Sequence, residues 1–224
     1  MDQPSSHGPS VFPSRQQRQP HLRRLLAVVL AIASTSVPAG IPDESAATLR
    51  LERERDLVIR TAAVVESARI AHIAQRYRQT PEHVRRVVRA TESAASRHGL
   101  PAALLLAMVE TESSFNAAAR SGYGARGLMQ VVPRHHPAVV AAIGGAHRLD
   151  DPEANVEAGA RILASYVERS GSLEKGLARY SGGATKYAAK VLSRQRELER
   201  VGAHASRQLD DTRISEAGVQ ASRG

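Results

Sequence analysis

The chain has 224 residues, enough for one ordinary domain with terminal extensions, and its hydrophobic fraction of 42% favours a packed core over general disorder. The formal net charge of +9 favours an anionic neighbour, such as nucleic acid, phospholipid or an acidic wall polymer, without choosing among them. The sequence contains no cysteine, which excludes disulfides, thiolate metal ligands and cysteine nucleophiles.

Residues 1–39 have the pattern of an export signal behind a polar leader rich in Pro, Ser, Gln and Arg. Arg23 and Arg24 precede the apolar run 25–33, which is shorter than the roughly 20 residues that span a bilayer. Small residues then form a cleavage site before Gly40. We therefore expect a periplasmic or secreted protein, with an uncleaved anchor or a buried helix as the alternative.

Apolar periodicity and capping residues predict a helical N-terminal extension over residues 40–97. Its first helix covers 44–78, and its second begins at Thr80-Pro81 and ends at Gly99. The charged positions indicate a solvated face, and contact with an anionic membrane or wall polymer is the alternative.

The remaining helices are predicted from Pro101, from Asp151-Pro152 to Gly171, at 173–180 and at 186–200. No strand alternation and no repeat is visible, so the predicted fold class is all-α. Residues 201–224 are polar and are predicted to form a flexible tail.

Helix geometry separates two glutamates near the end of the third helix. Leu105, Val109 and Glu112 share one stripe, whereas Glu110 lies about 200° around the helix axis from Glu112. We therefore expect Glu112 to face the core and Glu110 to face away. A carboxyl group among apolar neighbours has a raised pKa, as a general acid needs near neutral pH. An ordinary ion pair with an arginine is the alternative.

Most of the scarce aromatic residues fall in the C-terminal half of the chain: Phe115, Tyr123, Tyr166, Tyr180 and Tyr187. We interpret them as core anchors, with stacking against a sugar as the alternative. His135 and His136 are adjacent rather than helically spaced, so no metal site is predicted.

Four motifs between residues 98 and 192 resemble those of bacterial lytic transglycosylases with a goose-type lysozyme fold, in the family's order and spacing. The motifs are Glu112-Ser113-Ser114-Phe115-Asn116 (E-S-x-F-N), 121–130 (S-x-x-G-A-x-G-L-M-Q), Asn155-Val156 with Gly159 and Leu163 (N-I-x-x-G-x-x-Y-L), and 178–183 (A-x-Y-N-A-G). The chain departs from the pattern at Ile162, where the family has tyrosine and Tyr166 offers a substitute, and at Ser181, where it has asparagine. The resemblance implies a lysozyme-like catalytic domain over residues 98–200 with extra N-terminal helices.

The resemblance also implies roles for individual residues. Glu112 is the catalytic acid and base, Ser113 orients it, and Tyr180 lies beside it. The other substrate-binding residues implied by the family are Gly127, Leu128, Met129, Gln130, Ala178 and Ser181. The glycines of the second motif would leave room for a sugar against the backbone. No metal and no other cofactor is implied.

The implied function is peptidoglycan lytic transglycosylase, which cleaves the MurNAc-GlcNAc β-1,4 bond and forms 1,6-anhydromuramyl products with a single glutamate. The stretch from Ser113 to Leu149 contains no Asp or Glu, so a second carboxylate has to come from Asp150 or beyond. A hydrolysing muramidase of the same fold and a non-catalytic basic envelope-binding protein are the alternatives.

The expected partner is the glycan strand of peptidoglycan, bound by a monomer. The expected export argues against nucleic acid. General wall turnover and a dedicated secretion, conjugation or flagellar machine both stay open.

Overall fold

A computed structural model describes residues 44–221, and the expected export segment, residues 1–39, lies outside them. The described residues form seven α-helices: α1 Glu44–Tyr77, α2 Pro81–His98, α3 Ala102–Ser113, α4 Pro137–Ala142, α5 Pro152–Ser170, α6 Leu173–Tyr180 and α7 Tyr187–Ala221. Short 3-10 turns lie at Pro133–His135 and Ala146–Asp150. Within 44–221 there is no strand beyond isolated bridges in one loop, which confirms the all-α class. None of these helices is long and apolar enough to cross a membrane.

The predicted helix ends are confirmed where local capping decides them. The Thr80 side chain accepts a hydrogen bond from the backbone N–H of His83 at 3.3 Å, and Gly99 ends α2 in the left-handed region at φ 65°. Asp151 caps α5 by accepting from the N–H of Ala154 at 3.0 Å, and Gly171 ends that helix at φ 75°.

Helix α3 forms the centre of the core. It packs between α2 and α7, while α5 packs against α2 and α6. Every residue of α3 from Ala103 to Glu110 is buried. Phe115, just beyond the helix, is fully buried and lies 5.3 Å from Tyr77 between ring centroids. The functional end of α3 is thus fixed by packing on several sides.

Helices α1 and α7 run antiparallel along each other. Arg76 pairs with Glu197 at 3.0 Å, and Arg69 Nε donates to the Leu198 carbonyl at 3.4 Å, so positions earlier in α1 meet positions later in α7. The first helix of the N-terminal extension therefore lies against α7.

The structure corrects the predicted end of the last helix. A flexible tail was expected over 201–224, but α7 continues to Ala221. The reason is tertiary: Gly202 lies so close to Val65 of α1 that an added Cβ would stand 3.0 Å from Val65 Cγ1. Ala205, one turn further along, is buried as well. Small residues let the two helices approach, and the contact supports a polar segment that has little apolar periodicity of its own.

Candidate active site

A cleft of about 600 Å³ opens at the C-terminal end of α3. Its walls come from the end of α3, the loop that follows it, α5, α6 and the start of α7. The residues that line it include Glu112, Ser121, Tyr123, Gln130, His135, His136, Ile162, Tyr166, Arg179, Tyr180, Ser181 and Tyr187. All four sequence motifs therefore contribute to one cavity, the third through Ile162.

Glu112 is half-buried in this cleft, and its carboxylate accepts a hydrogen bond from the hydroxyl of Tyr187 at 2.5 Å. Burial raises the pKa of Glu112, while the Tyr187 hydrogen bond and the positive charge of Lys190 oppose that rise without cancelling it. Burial and the neighbouring Glu112 charge also raise the pKa of Tyr187 far above its ordinary value, so its hydroxyl keeps its proton and stays a donor. The raised pKa favours the protonated form of Glu112, the form that a general acid needs.

Tyr180 lines the same cleft, and its hydroxyl bonds a main-chain group. It donates to the main-chain carbonyl of Met129 at 2.8 Å. Burial, followed by the charge of Glu112, raises the pKa of Tyr180 well above its usual range. The tyrosine that contacts Glu112 is instead Tyr187, which the sequence placed among the aromatic residues without a role of its own. No spacing in the sequence connects it to Glu112, because the contact depends on how α7 packs against α3.

Of the remaining predicted substrate-binding residues, some line the cleft and others do not. Gln130 and Ser181 line the cleft with Glu112. The Gln130 side-chain amide donates to the Gly127 carbonyl at 2.9 Å, in a turn where Gln130 itself has φ 47°. Leu128 and Met129 are fully buried in the core, and their side chains do not reach the cleft.

Ser113 and Ala178 also lie outside the cleft lining. The Ser113 hydroxyl donates to the Val109 carbonyl one helical turn earlier, at 3.1 Å, rather than to Glu112. Ala178 supplies a carbonyl that accepts from the Ser181 hydroxyl at 2.9 Å. The hydrogen bonds of both residues are thus local ones, within α3 and at the end of α6.

Gly127 is required for a reason that the sequence did not reveal. Its φ is 72°, and an added Cβ would stand 2.2 Å from Asn155 Nδ2 and 2.6 Å from the Leu149 carbonyl oxygen. Its lack of a side chain makes room for Asn155. The Asn155 side chain is almost fully buried and bonds three backbone groups, donating to Arg126 and Leu149 carbonyls and accepting from the Met129 N–H. Asn155 thus holds the loop that carries Gln130.

The structure reverses the predicted exposure of the two glutamates. Glu110 is 4% exposed, accepts a hydrogen bond from the Tyr77 hydroxyl, and forms an ion pair with Arg194 Nε at 3.1 Å. The expectation that Glu110 faces away from the core was wrong, because α3 is enclosed on all sides. Glu112 faces the cleft one half-turn later, where the helix emerges from the core.

The acids that follow Glu112 in the sequence are engaged in ion pairs on the outside of the domain. Asp150 pairs with Arg120 at 2.6 Å and Arg126 at 3.0 Å. Asp151 and Glu153 both pair with Arg86, and Glu157 pairs with Arg97 and His98. Among the described residues that line the cleft, Glu112 is the one carboxylate.

One wall of the cleft is an aromatic series. Ring centroids are separated by 5.4 Å from Tyr123 to His135, by 6.0 Å from His136 to Tyr166 and by 6.5 Å from Tyr166 to Tyr180. Tyr166 does line the cleft, one turn beyond the buried Ile162. Within residues 44–221 no group of three or more His, Asp or Glu is arranged to hold a metal ion.

Comparison with known proteins gives the family. The Transglycosylase SLT domain matches residues 89–201, just over half of the chain, and the chain belongs to this family. A transglycosylase of the Enterobacteria phage PRD1 is 35% identical over 91 residues, which cover 41% of this chain and 32% of that protein. Membrane-bound lytic murein transglycosylase C of Haemophilus influenzae (strain PittGG) is 42% identical over 76 residues, 31% of this chain and 21% of that protein.

Among solved structures, an inactive mutant of lytic transglycosylase Slt from Pseudomonas aeruginosa aligns at 20% identity with a TM-score of 0.40. The alignment covers 54% of this chain and 24% of that chain. This chain spans about a third or less of the length of the curated relatives it matches.

Proposed function

We propose that the protein is a peptidoglycan lytic transglycosylase that cleaves the MurNAc-GlcNAc β-1,4 bond and forms 1,6-anhydromuramyl products. Glu112 acts as the only catalytic carboxylate. Membership of the Transglycosylase SLT domain family and the names of its relatives support the substrate and the bond that is broken.

The observation that carries the single-glutamate mechanism is the isolation of Glu112. It is the one carboxylate among the described residues of the cleft, and the acids nearest to it in sequence after Glu112 are held in surface ion pairs. Ordinary glycosidases need a second carboxylate to activate water or to attack the sugar. A cleft that offers one raised-pKa glutamate suits a reaction in which the substrate supplies its own nucleophile.

The reaction consists of two successive proton transfers, one from Glu112 and one to it. Protonated Glu112 gives its proton to the glycosidic oxygen while the bond from that oxygen to C1 of MurNAc breaks, assisted by the acetamido group of the sugar. The Glu112 carboxylate then takes the proton of the C6 hydroxyl, and that oxygen bonds to C1 and closes the anhydro ring. No water is consumed, and the high effective concentration of the C6 hydroxyl favours ring closure.

Tyr187 supports both states of Glu112. Its hydroxyl hydrogen bond at 2.5 Å fixes the orientation of the carboxyl group and stabilises the carboxylate between the two proton transfers. Burial raises the pKa of Glu112, which favours the protonated acid that the first proton transfer needs.

The test is to digest purified peptidoglycan with the full chain and to weigh the released muropeptides by mass spectrometry. Anhydro products are lighter than hydrolysed ones by one water. Hydrolysed species that dominate from the earliest time points would assign a hydrolysing muramidase instead. Binding to peptidoglycan without any release, by wild type and Glu112→Gln alike, would assign a non-catalytic envelope protein.

The proposed place of action is the cell envelope, where peptidoglycan is found. The export pattern in residues 1–39 supports this proposal, as do relatives whose names describe them as membrane-bound. N-terminal sequencing of the protein from an envelope fraction is expected to begin close to Gly40. Recovery of the protein from the cytoplasm with Met1 in place would contradict it.

A further inference from the structure

A second recess of about 360 Å³ lies beside the cleft. Five residues line both cavities: His135, His136, Ile162, Tyr166 and Arg179. Arg169 lines the second recess but not the cleft. A glycan strand that occupies the cleft therefore passes next to this recess, and substituents of its sugars are within reach of it.

Two arginines give the recess its chemistry. The guanidinium carbons of Arg169 and Arg179 lie 5.2 Å and 5.1 Å from the centroid of the Tyr166 ring. Stacking on an aromatic ring leaves the N–H donors at the edges of a guanidinium group free to bind an anion. No Asp or Glu lines the recess, and among residues 44–221 neither arginine takes part in an ion pair.

The recess is electrostatically positive as well as rich in donors. Burial lowers the pKa of His136, and the nearby His135 and Arg169 lower it further, which is the effect of unneutralised positive charge. Other arginines of the domain, such as Arg86 and Arg97, are paired with acids across the helix interfaces. Arg169 and Arg179 differ from them in having an aromatic support and no acidic partner.

We propose that this recess is an anion-binding subsite of the cleft, in which Arg169 and Arg179 bind a carboxylate of the peptide stem. The inference rests on the proposed function, because it takes the peptidoglycan strand as the ligand of the cleft. The glycan backbone is uncharged, whereas the peptide attached to the lactyl group of MurNAc carries carboxylates. Two planar guanidinium groups beside one ring match a planar carboxylate, which accepts hydrogen bonds on two oxygens.

The experiment compares three substrates with the full chain: natural strands, strands stripped of their peptides by an amidase whose freed lactyl carboxylates are then converted to amides, and strands whose stem carboxylates have been converted to amides. The wild type is expected to show a kcat/KM about fivefold higher for natural strands than for either of the others, the upper range for a solvent-exposed charge pair. The difference should lie in KM. The amidated strands separate the charge of the stem from its bulk.

The variant is Arg169→Gln with Arg179→Gln, and the control is Arg161→Gln, an exposed arginine of α5 that lines neither cavity. The double variant is expected to lose the preference for natural strands, so that its kcat/KM becomes the same for natural and stripped strands. Thermal unfolding followed by far-ultraviolet circular dichroism is the check that it folds. Should the double variant fail that check, each single substitution is expected to lose part of the preference.

A double variant that keeps the wild-type preference, or a wild type that cleaves all three substrates equally, would overturn the subsite. A preference that vanishes when phosphate-linked polymers are removed from natural strands by hydrofluoric acid would assign the anion to phosphate and overturn the stem carboxylate. A wild type that cleaves no strand at all would instead refute the proposed function.

Discussion

Replacing each of the two glutamates of α3 by glutamine distinguishes a residue that stabilises the fold from a residue that carries out the reaction. Glu110 lies in the core and forms an ion pair with Arg194, whereas Glu112 lines the cleft. We expect Glu110→Gln to lower stability while turnover of the folded enzyme stays close to wild type. We expect Glu112→Gln to lose more than about 100-fold in turnover, the low end of the contribution of general acid–base catalysis.

The size of the Glu110 effect follows from its surroundings. Removing one partner of a fully buried ion pair costs about 3–5 kcal/mol. The Arg194 side chain is 22% exposed, so water screens the guanidinium group that is left behind, and the glutamine oxygen still accepts from Tyr77. We therefore expect a loss of about 2 kcal/mol in the free energy of unfolding, which in a domain of this size lowers Tm by about 4–8 °C.

The Glu112 change is expected to act on stability in the opposite direction. Because burial raises the folded-state pKa of Glu112, ionising this group costs more in the folded protein than in the unfolded chain. The wild type therefore loses stability relative to Glu112→Gln as the pH rises through the folded pKa. The Tm of the variant should match or exceed that of wild type at neutral pH, and any gain should vanish in acid.

Both variants are assayed in parallel for muropeptide release well below their Tm and for thermal unfolding by far-ultraviolet circular dichroism. Glu168→Gln, an exposed charge loss on α5, is the control and should change the free energy of unfolding by less than about 0.5 kcal/mol. Equal loss of turnover in Glu110→Gln and Glu112→Gln, with no change in Tm for Glu110→Gln, would refute the reasoning.

Three further substitutions test the site. Tyr187→Phe removes a donor that lowers the pKa of Glu112, so the pKa of Glu112 should rise and the high-pH limb of the activity profile should move to higher pH. A move to lower pH would contradict the contact. Tyr180→Phe removes the hydrogen bond to the Met129 carbonyl and should lower the free energy of unfolding by about 1 kcal/mol. Turnover should fall by more than this loss of stability explains. Full activity with a lowered Tm would assign the residue to packing. Gly127→Ala should lower the free energy of unfolding by about 3 kcal/mol, because the added Cβ is crowded and the backbone is left-handed. Gly122→Ala is the control in the same thermal-unfolding assay and should be neutral, because nothing lies within 4 Å of its added Cβ.

The helix boundaries can be predicted from the sequence where a residue acts on its own neighbours. Thr80 and Asp151 cap helices by bonding backbone groups three residues away, and Gly99 and Gly171 end them by adopting a backbone conformation that other residues resist. These interactions need no partner from elsewhere in the chain. The motifs around Glu112 are likewise local, and their residues and spacing are sufficient to indicate the family.

Which glutamate is buried could not be predicted from the sequence, for a physical reason. Apolar periodicity assigns a helix face only when one side of the helix meets solvent, and every residue of α3 from Ala103 to Glu110 is buried. The stripe that appeared to end at Glu112 was one of several equally apolar sides. The end of the helix, where it leaves the core, decided which carboxyl group reaches the cleft.

The sequence by itself determined the all-α class, most helix ends and the family, because these depend on local capping and on short motifs. Only the tertiary structure brought Tyr187 to Glu112 and Arg194 to Glu110, since both contacts require α7 to pack against α3. The same kind of packing placed Gly202 of α7 against Val65 of α1. Contacts between residues far apart in the chain are set by how whole helices fit together, and no local pattern contains that information.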